Sequence, residues 1–80
     1  PYPNPFNNHI NFRFLLKSST FVSLKIYNVK GNLIENLIQK RLVQGNHNIM
    51  WDAKKNPTGI YFIKYIAGSF SKTEKIIYLR

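Results

Sequence analysis

The sequence predicts an all-β fold, an antiparallel β-sandwich of six to seven short strands. Hydrophobic residues alternate with polar residues over several short segments, which is the pattern of strands that are buried on one face. Turn signals rich in Gly, Asn and Pro recur about every ten residues, as they do in sandwiches of the immunoglobulin-like or fibronectin-like class. The chain has no Cys, so we expect this sandwich to lack a disulfide.

The length of 80 residues accommodates one small domain, which buries only roughly 60% of the surface of its unfolded chain. Hydrophobic residues make up 44% of the sequence, a share that favours a packed fold over disorder. No apolar run reaches the roughly 18 residues that a transmembrane helix requires, so we expect no transmembrane segment. Because the sequence starts at Pro1 without an initiator Met, we expect it to be the end of a longer protein.

The net charge of +9 is distributed evenly along the chain. Residues 1–40 carry +4 and residues 41–80 carry +5. A protein that reads nucleic acid concentrates its Lys and Arg in one patch or stripe, whereas an even distribution raises general affinity for anionic surfaces. We therefore expect solvated lysines on strand faces and no specific nucleic-acid partner.

The N-terminus is predicted to be an extended segment. Three prolines among the first five residues fix the backbone φ angle and disfavour helix in the residues before them. The sequence therefore predicts a semi-rigid, Pro-rich linker over residues 1–8 and the sandwich over residues 9–80. Phe6 is the residue of the linker that we expect to anchor it to the domain.

The first two predicted strands each carry one apolar face. Their apolar residues alternate with other residues and are Ile10, Phe12 and Phe14 in the first strand and Val22, Leu24 and Ile26 in the second. A turn over residues 28–32 follows, with Gly31 at a position that favours a positive φ angle. Consecutive strands joined by such short turns are expected to pair antiparallel.

Residues 33–42 carry two conflicting patterns. Ile34, Leu37 and Ile38 lie close to helical spacing, and no Gly or Pro interrupts the segment. A helix this short, without a clear capping box, is marginal in water. A bulge near Glu35-Asn36 would instead place Ile34 and Leu37 on one face of a strand. We interpret the segment as a bulged strand.

The C-terminal half predicts three further strands. Trp51 alternates with Ile49 and is expected in the core, and Asp52 is expected to cap the turn that follows it. Residues 59–66 are rich in β-branched and aromatic side chains on both faces, which is typical of a central strand. Residues 71–79 form the last strand, which we expect at a sheet edge.

The sequence contains residue types that can perform catalysis or bind metals, but they do not have the spacing that such chemistry needs. Glu35, Asp52 and Glu74 lie far apart in sequence, so the pattern arranges no pair of carboxylates for acid–base work. His9 and His47 do not have the spacing of a shared metal site. We therefore expect no enzymatic activity, no cofactor and no metal.

A series of short motifs gives the sequence a family resemblance. In order along the chain they are Tyr2-Pro3-Asn4-Pro5-Phe6-Asn7, Ile10-x-Phe12, Val22-x-Leu24-x-Ile26-Tyr27-Asn28, Gly31-x-x-Ile34-x-x-Leu37, Gly45-x-His47-x-x-x-Trp51-Asp52, Gly59-Ile60-Tyr61 and Lys75-Ile76-Ile77-Tyr78-Leu79-Arg80. Together they resemble the type A C-terminal sorting domain of proteins that certain Gram-negative bacteria export through the type IX secretion system. The same pattern is similar to the immunoglobulin-like domain of flagellar hook-capping proteins.

The resemblance implies that this segment is a non-catalytic secretion signal behind a fused N-terminal cargo protein. Such domains fold in the periplasm and bring their cargo to the cell surface or the medium. The implied partners are an outer-membrane β-barrel shuttle protein, the translocon and a surface sortase. The family's closing elements, to which the resemblance assigns partner recognition, correspond to Gly59, Tyr61, Lys75 and Arg80.

A contact face for these partners is expected on the last two strands, because apolar residues there occur on both faces. The candidate contact residues are Ile60, Phe62, Ile66, Ile76 and Tyr78. A carbohydrate-binding or adhesion module is the alternative function. It would use exposed aromatic rings as stacking platforms, and the candidate rings are Trp51, Tyr61, Tyr65 and Tyr78.

Overall fold

Six β-strands and their connections make up residues 5–80, the part of the chain that this computed structural model describes. The strands are β1 (His9–Leu16), β2 (Thr20–Asn28), β3 (Leu33–Leu42), β4 (Gly45–Asp52), β5 (Gly59–Ala67) and β6 (Phe70–Tyr78). Within residues 5–80 there is no helix. The predicted all-β class is therefore confirmed.

The strands form two antiparallel sheets of unequal width. One sheet has four strands in the order β3-β2-β5-β6, and the other pairs β1 with β4. This arrangement confirms the predicted antiparallel sandwich, with β5 inside the larger sheet and β6 at its edge. We call the face of each sheet that meets the other sheet its inner face, and the opposite face its outer face.

The expectation that consecutive strands pair is right for β2–β3 and β5–β6 and wrong for the other connections. The chain crosses from one sheet to the other between β1 and β2, between β3 and β4, and between β4 and β5. A short polar turn determines that the chain reverses direction, but it does not determine whether the next strand lies in the same sheet or in the other one. Each strand also has an apolar face to bury, and crossing between sheets places those faces against each other.

The segment 33–42 is a bulged strand, as predicted, and the alternative of a helix is wrong. Its register against β2 shifts twice, which leaves Leu37 and Ile34 as the extra residues. Each extra residue reverses the side on which the following side chains lie. Both residues consequently pack against the core, although their spacing does not fit a regular strand. Pairing with β2 gives the backbone the hydrogen bonds that a short isolated helix does not secure.

Trp51 lies at the centre of the core between the two sheets. It is fully buried, which confirms the core position predicted from its alternation with Ile49. Its ring centroid lies 5.3 Å from that of Tyr61 in an edge-on arrangement and 6.0 Å from that of Phe6. Its Nε1–H donates a hydrogen bond of 3.1 Å to Oε1 of Glu35. This bond joins β4 to β3 and therefore connects the two sheets.

Phe6 belongs to the core, as expected of an anchor. Its backbone N–H donates to the carbonyl of Ile77 at 3.0 Å, and the N–H of Leu79 donates to the carbonyl of Phe6 at 2.9 Å. Its ring stacks on Tyr78 with centroids 5.3 Å apart. Residues 1–4 of the predicted linker lie outside the described part of the chain, and the linker boundary at residue 8 stays a prediction.

Two turns place a glycine at a positive φ angle, and the first is the turn that the sequence predicts over residues 28–32. Oδ1 of Asn28 accepts hydrogen bonds from the backbone N–H groups of Lys30 and Asn32, and Gly31 has a φ angle of +84°. The two-residue turn between β5 and β6 places Gly68 at a φ angle of +60°. A Cβ atom at Gly68 would also lie only 2.9 Å from Oγ1 of Thr20, so this position favours glycine for two reasons.

Replacing Phe6 with Ala tests whether the segment before β1 belongs to the cooperative fold. Phe6 is 5% exposed and Phe70 is 56% exposed, so the matched control is Phe70→Ala. We expect Phe6→Ala to lower the free energy of unfolding by about 3–5 kcal/mol and the control by about 1 kcal/mol or less. Urea unfolding followed by circular dichroism measures both. Equal losses in the two variants would show that the segment does not contribute to the fold as described.

Candidate recognition surface

The four residues that the resemblance assigns to partner recognition lie near one another at one end of the larger sheet. Gly59 begins β5 opposite Tyr78, and Tyr61 and Lys75 follow within the same ladder of β5 and β6. Arg80 is held at this end because its backbone N–H donates to Oγ1 of Thr58 at 2.8 Å. The fold thus brings Gly59, Tyr61, Lys75 and Arg80 together, while their role in recognition stays a prediction.

Tyr61 is buried, so its side chain supports the loop before β5. Its hydroxyl donates a hydrogen bond of 2.6 Å to the carbonyl of Pro57, which fixes the loop just before Gly59. Burial raises the pKa of the Tyr61 phenol above its ordinary value, and the nearby phenol of Tyr78 raises it further. Lys75 and Arg80, by contrast, are exposed. Of the four residues, these two have charged side chains that are accessible from solvent.

Three of the five candidate contact residues lie on the outer face and two are buried, and contact of the three with a partner stays a prediction. Ile60, Phe62 and Ile66 lie on the outer face of β5, where Ile60 is exposed and the other two are half-buried. Ile76 and Tyr78 are 0% and 1% exposed and point into the core.

The residue of β6 that shares the outer face with Ile60 is Ile77, which lies directly opposite it. Residues 76–79 are all apolar, so alternation alone does not fix which of them point inward. The core contacts of Tyr78 with Phe6 decide the direction.

The outer face also includes residues of β2 and β3 that were not predicted from the sequence. Tyr27 lies opposite Phe62 on one side and opposite Leu33 on the other. Tyr27 and Leu33 therefore extend the apolar area of the outer face. We call this area the outer-face patch, and it consists of Tyr27, Leu33, Ile60, Phe62 and Ile77. The signal was present in β2, because residues that alternate with the buried Val22, Leu24 and Ile26 must point outward, and Tyr27 is one of them.

The three acidic residues of the chain all lie away from the outer-face patch. Glu35 faces inward, where it accepts the hydrogen bond of Trp51. Glu74 lies opposite the buried Ile63, and its Oε1 is 3.5 Å from Nζ of Lys72. Asp52 accepts the backbone N–H of the residue two positions on, which confirms its predicted role in capping the turn.

The stacking platforms of the alternative function are mostly inaccessible. Trp51, Tyr61 and Tyr78 are buried, so they offer no ring face to a sugar. Tyr65 is half-buried and lines a cleft of about 190 Å³ between residues 12–14 of β1 and the inner face of β6. Three of the four rings that the alternative function would use are therefore buried, as was expected of Trp51.

In residues 5–80 no three His, Asp or Glu side chains converge on a possible metal site. His47 stacks on Phe14 with ring centroids 5.6 Å apart, and its Nε2–H donates to the carbonyl of Val43 at 2.7 Å. The same part of the chain has no helix long and apolar enough to cross a membrane.

The fold and its exposed surface define the class of a small antiparallel β-sandwich module. The family described as the secretion system C-terminal sorting domain matches residues 1–79. The chain belongs to this family, the sorting domains of the type IX secretion system. No curated protein and no solved structure matches it. Membership makes the chain a sorting signal of a secreted or cell-surface protein, in a family that is generally non-catalytic.

Replacing Tyr61 with Phe tests the buried phenol. At neutral pH the variant loses the hydrogen bond to Pro57, so we expect the free energy of unfolding to fall by about 0.5–1.5 kcal/mol. In the wild type, burial keeps Tyr61 protonated at alkaline pH, whereas the unfolded chain loses this proton above about pH 10. Unfolding then releases a proton, and the free energy of unfolding falls as the pH rises above about 10.

Urea unfolding at a series of pH values, followed by circular dichroism, measures this dependence. We expect a shallower alkaline fall in Tyr61→Phe than in the wild type. Part of the fall should remain, because burial also raises the pKa of Tyr65. Identical alkaline slopes in the two proteins would contradict a raised pKa for Tyr61.

Proposed function

We propose that this domain directs a fused N-terminal cargo protein across the outer membrane through the type IX secretion system, without catalysing a reaction itself. The observation that carries the proposal is the family match over residues 1–79. In this proposal the domain folds in the periplasm, is recognised by an outer-membrane β-barrel shuttle protein, and passes through the translocon. A surface sortase then acts on the cargo at the cell surface.

The backbone hydrogen bonds of Phe6 limit how a partner can recognise the end of β6. An edge strand can be recognised through its free backbone groups, by addition of a further strand. Phe6, however, already bonds to the backbone of Ile77 and Leu79. We infer that partners recognise this end of the domain through its exposed side chains, with Lys75 and Arg80 as the charged contacts.

Buried residues of the same region contribute to recognition indirectly, because they fix the position of Arg80. Tyr61 holds the loop at Pro57, and Thr58 in that loop accepts the N–H of Arg80. The position of Arg80 therefore depends on a chain of contacts that begins in the core. This dependence explains how Tyr61 can matter for recognition without touching a partner.

Neutralising Lys75 and Arg80 tests the proposed recognition. A fluorescent cargo protein fused ahead of the domain is expressed in a bacterium that has a type IX system, and cell fractions are assayed for fluorescence. We expect the wild-type domain to bring the cargo to the surface or medium. Lys75→Gln with Arg80→Gln should lower export roughly tenfold, the effect of losing about 1.4 kcal/mol of binding free energy.

The matched control is Lys17→Gln with Lys40→Gln, which removes the same charge at the opposite end of the sandwich. It should export like the wild type, and circular dichroism should show all three domains folded. Normal export by the Lys75/Arg80 variant would exclude these side chains as contacts, and absence of export by the wild type would refute the sorting function. Deletion of residues 76–80 is a poorer test because it removes the buried Ile76 and Tyr78.

A further inference from the structure

Two lysines lie directly opposite each other on the outer face of the larger sheet. Lys25 of β2 and Lys64 of β5 are register partners on its two central strands. Side chains in such positions have Cβ atoms about 4.5–5.5 Å apart, and like charges there destabilise the sheet. Lys64 is exposed and Lys25 is half-buried, so the repulsion between them is only partly screened by water.

The surroundings of this lysine pair offer no compensating negative charge. Across the same row of the sheet, Asn36 lies opposite Lys25 and Thr73 lies opposite Lys64. Both are neutral, and the amide Nδ2 of Asn36 donates to Oε1 of Gln39 at 2.8 Å. No acidic side chain of residues 5–80 lies on this face. The pair therefore creates a local positive potential in the middle of the sheet.

The next row of the same face is apolar. Leu33, Tyr27 and Phe62 follow one another across β3, β2 and β5, and Lys75 ends the row on β6. Tyr27 and Phe62 are half-buried, so part of each side chain is accessible. The outer face thus combines the outer-face patch with the adjacent pair of cationic side chains, Lys25 and Lys64.

We propose that the outer face docks on a protein surface that places an Asp or Glu carboxylate between Lys25 and Lys64 and covers the outer-face patch with apolar side chains. A carboxylate in this position would accept charge-assisted hydrogen bonds from both lysines and remove their mutual repulsion. This inference rests on the proposed function, since the partner is then a component of the export system. It adds the chemistry of the partner and a second contact region beside Lys75 and Arg80.

A protein fits this face better than a membrane does. Apolar residues that bury in a membrane interface typically line one side of an amphipathic helix, whereas Tyr27 and Phe62 lie on the two central strands of a sheet. A four-stranded sheet is also twisted, so a planar lipid surface cannot contact all of its strands at once. A shaped protein surface can follow the twist and place a single carboxylate at the lysine pair.

The export assay with the fluorescent cargo tests this inference through three double variants. Lys25→Gln with Lys64→Gln should lower export roughly tenfold, while Lys25→Arg with Lys64→Arg, which keeps both charges, should retain it. The control, Lys30→Gln with Lys55→Gln, removes the same net charge from exposed loops and should export normally. Equal losses in the two Gln variants would show a general charge effect and overturn the inference.

Thermal unfolding separates lost recognition from lost stability. Because neutralising the pair removes a repulsion, the Lys25→Gln/Lys64→Gln domain should unfold at the same or a higher temperature than the wild type. Poor export by a domain that is at least as stable then indicates a lost contact. Normal export by this variant, alongside poor export by the Lys75/Arg80 variant, would overturn the present inference and leave the proposed function intact.

Zero-length carbodiimide crosslinking of exporting cells identifies the partner group, since it joins a Lys amine only to a carboxylate in contact with it. We expect mass spectrometry to find Lys25 or Lys64 joined to an Asp or Glu of an outer-membrane protein, in preference to Lys30 and Lys55. Vesicles of phosphatidylglycerol, with phosphatidylcholine vesicles as the reference, test the lipid alternative. Selective loss of binding to anionic vesicles in the Lys25/Lys64 variant would make the membrane the occupant and overturn the inference.

Discussion

Two sheets of unequal width are held together around the indole of Trp51, and the rest of the structure depends on this contact. The hydrogen bond from Trp51 to Glu35 connects β4 to the bulged strand β3, and the rings of Phe6 and Tyr61 pack around the indole. A chain of this length buries a smaller fraction of its surface than a larger domain does and has no Cys for a disulfide, so one aromatic cluster contributes a large part of its stability.

The same cluster determines what remains available for recognition. Because Tyr61 and Tyr78 are used to build the core, they cannot serve as contacts, and neither can Ile76. The adjacent residues of the same strands, Ile60 and Ile77, then necessarily face outward. The recognition surface that we propose is thus a consequence of core packing. It consists of the exposed Lys75 and Arg80 near the end of β6 and of the cationic and apolar outer face of the larger sheet.

The edge of β6 and the outer face of the larger sheet differ in what they offer to a partner. Phe6 covers part of the edge of β6 and so leaves fewer backbone groups for strand addition, which favours side-chain recognition at that end. The lysine pair on the outer face has an electrostatic cost in the free domain, and a partner carboxylate removes that cost on binding. In a small sandwich, stability and recognition therefore compete for the same few strands.

The sequence by itself determined the strand content, the bulge in residues 33–42, the core position of Trp51 and the positive φ angle at Gly31, because each depends on local alternation or local backbone sterics. Its motifs also indicated the family. Only the tertiary structure decided which strands pair, since a short turn fits a hairpin and a crossing between sheets equally well. It also decided which residues of the apolar run 76–79 are buried and that Lys25 meets Lys64, because both depend on register between strands distant in sequence.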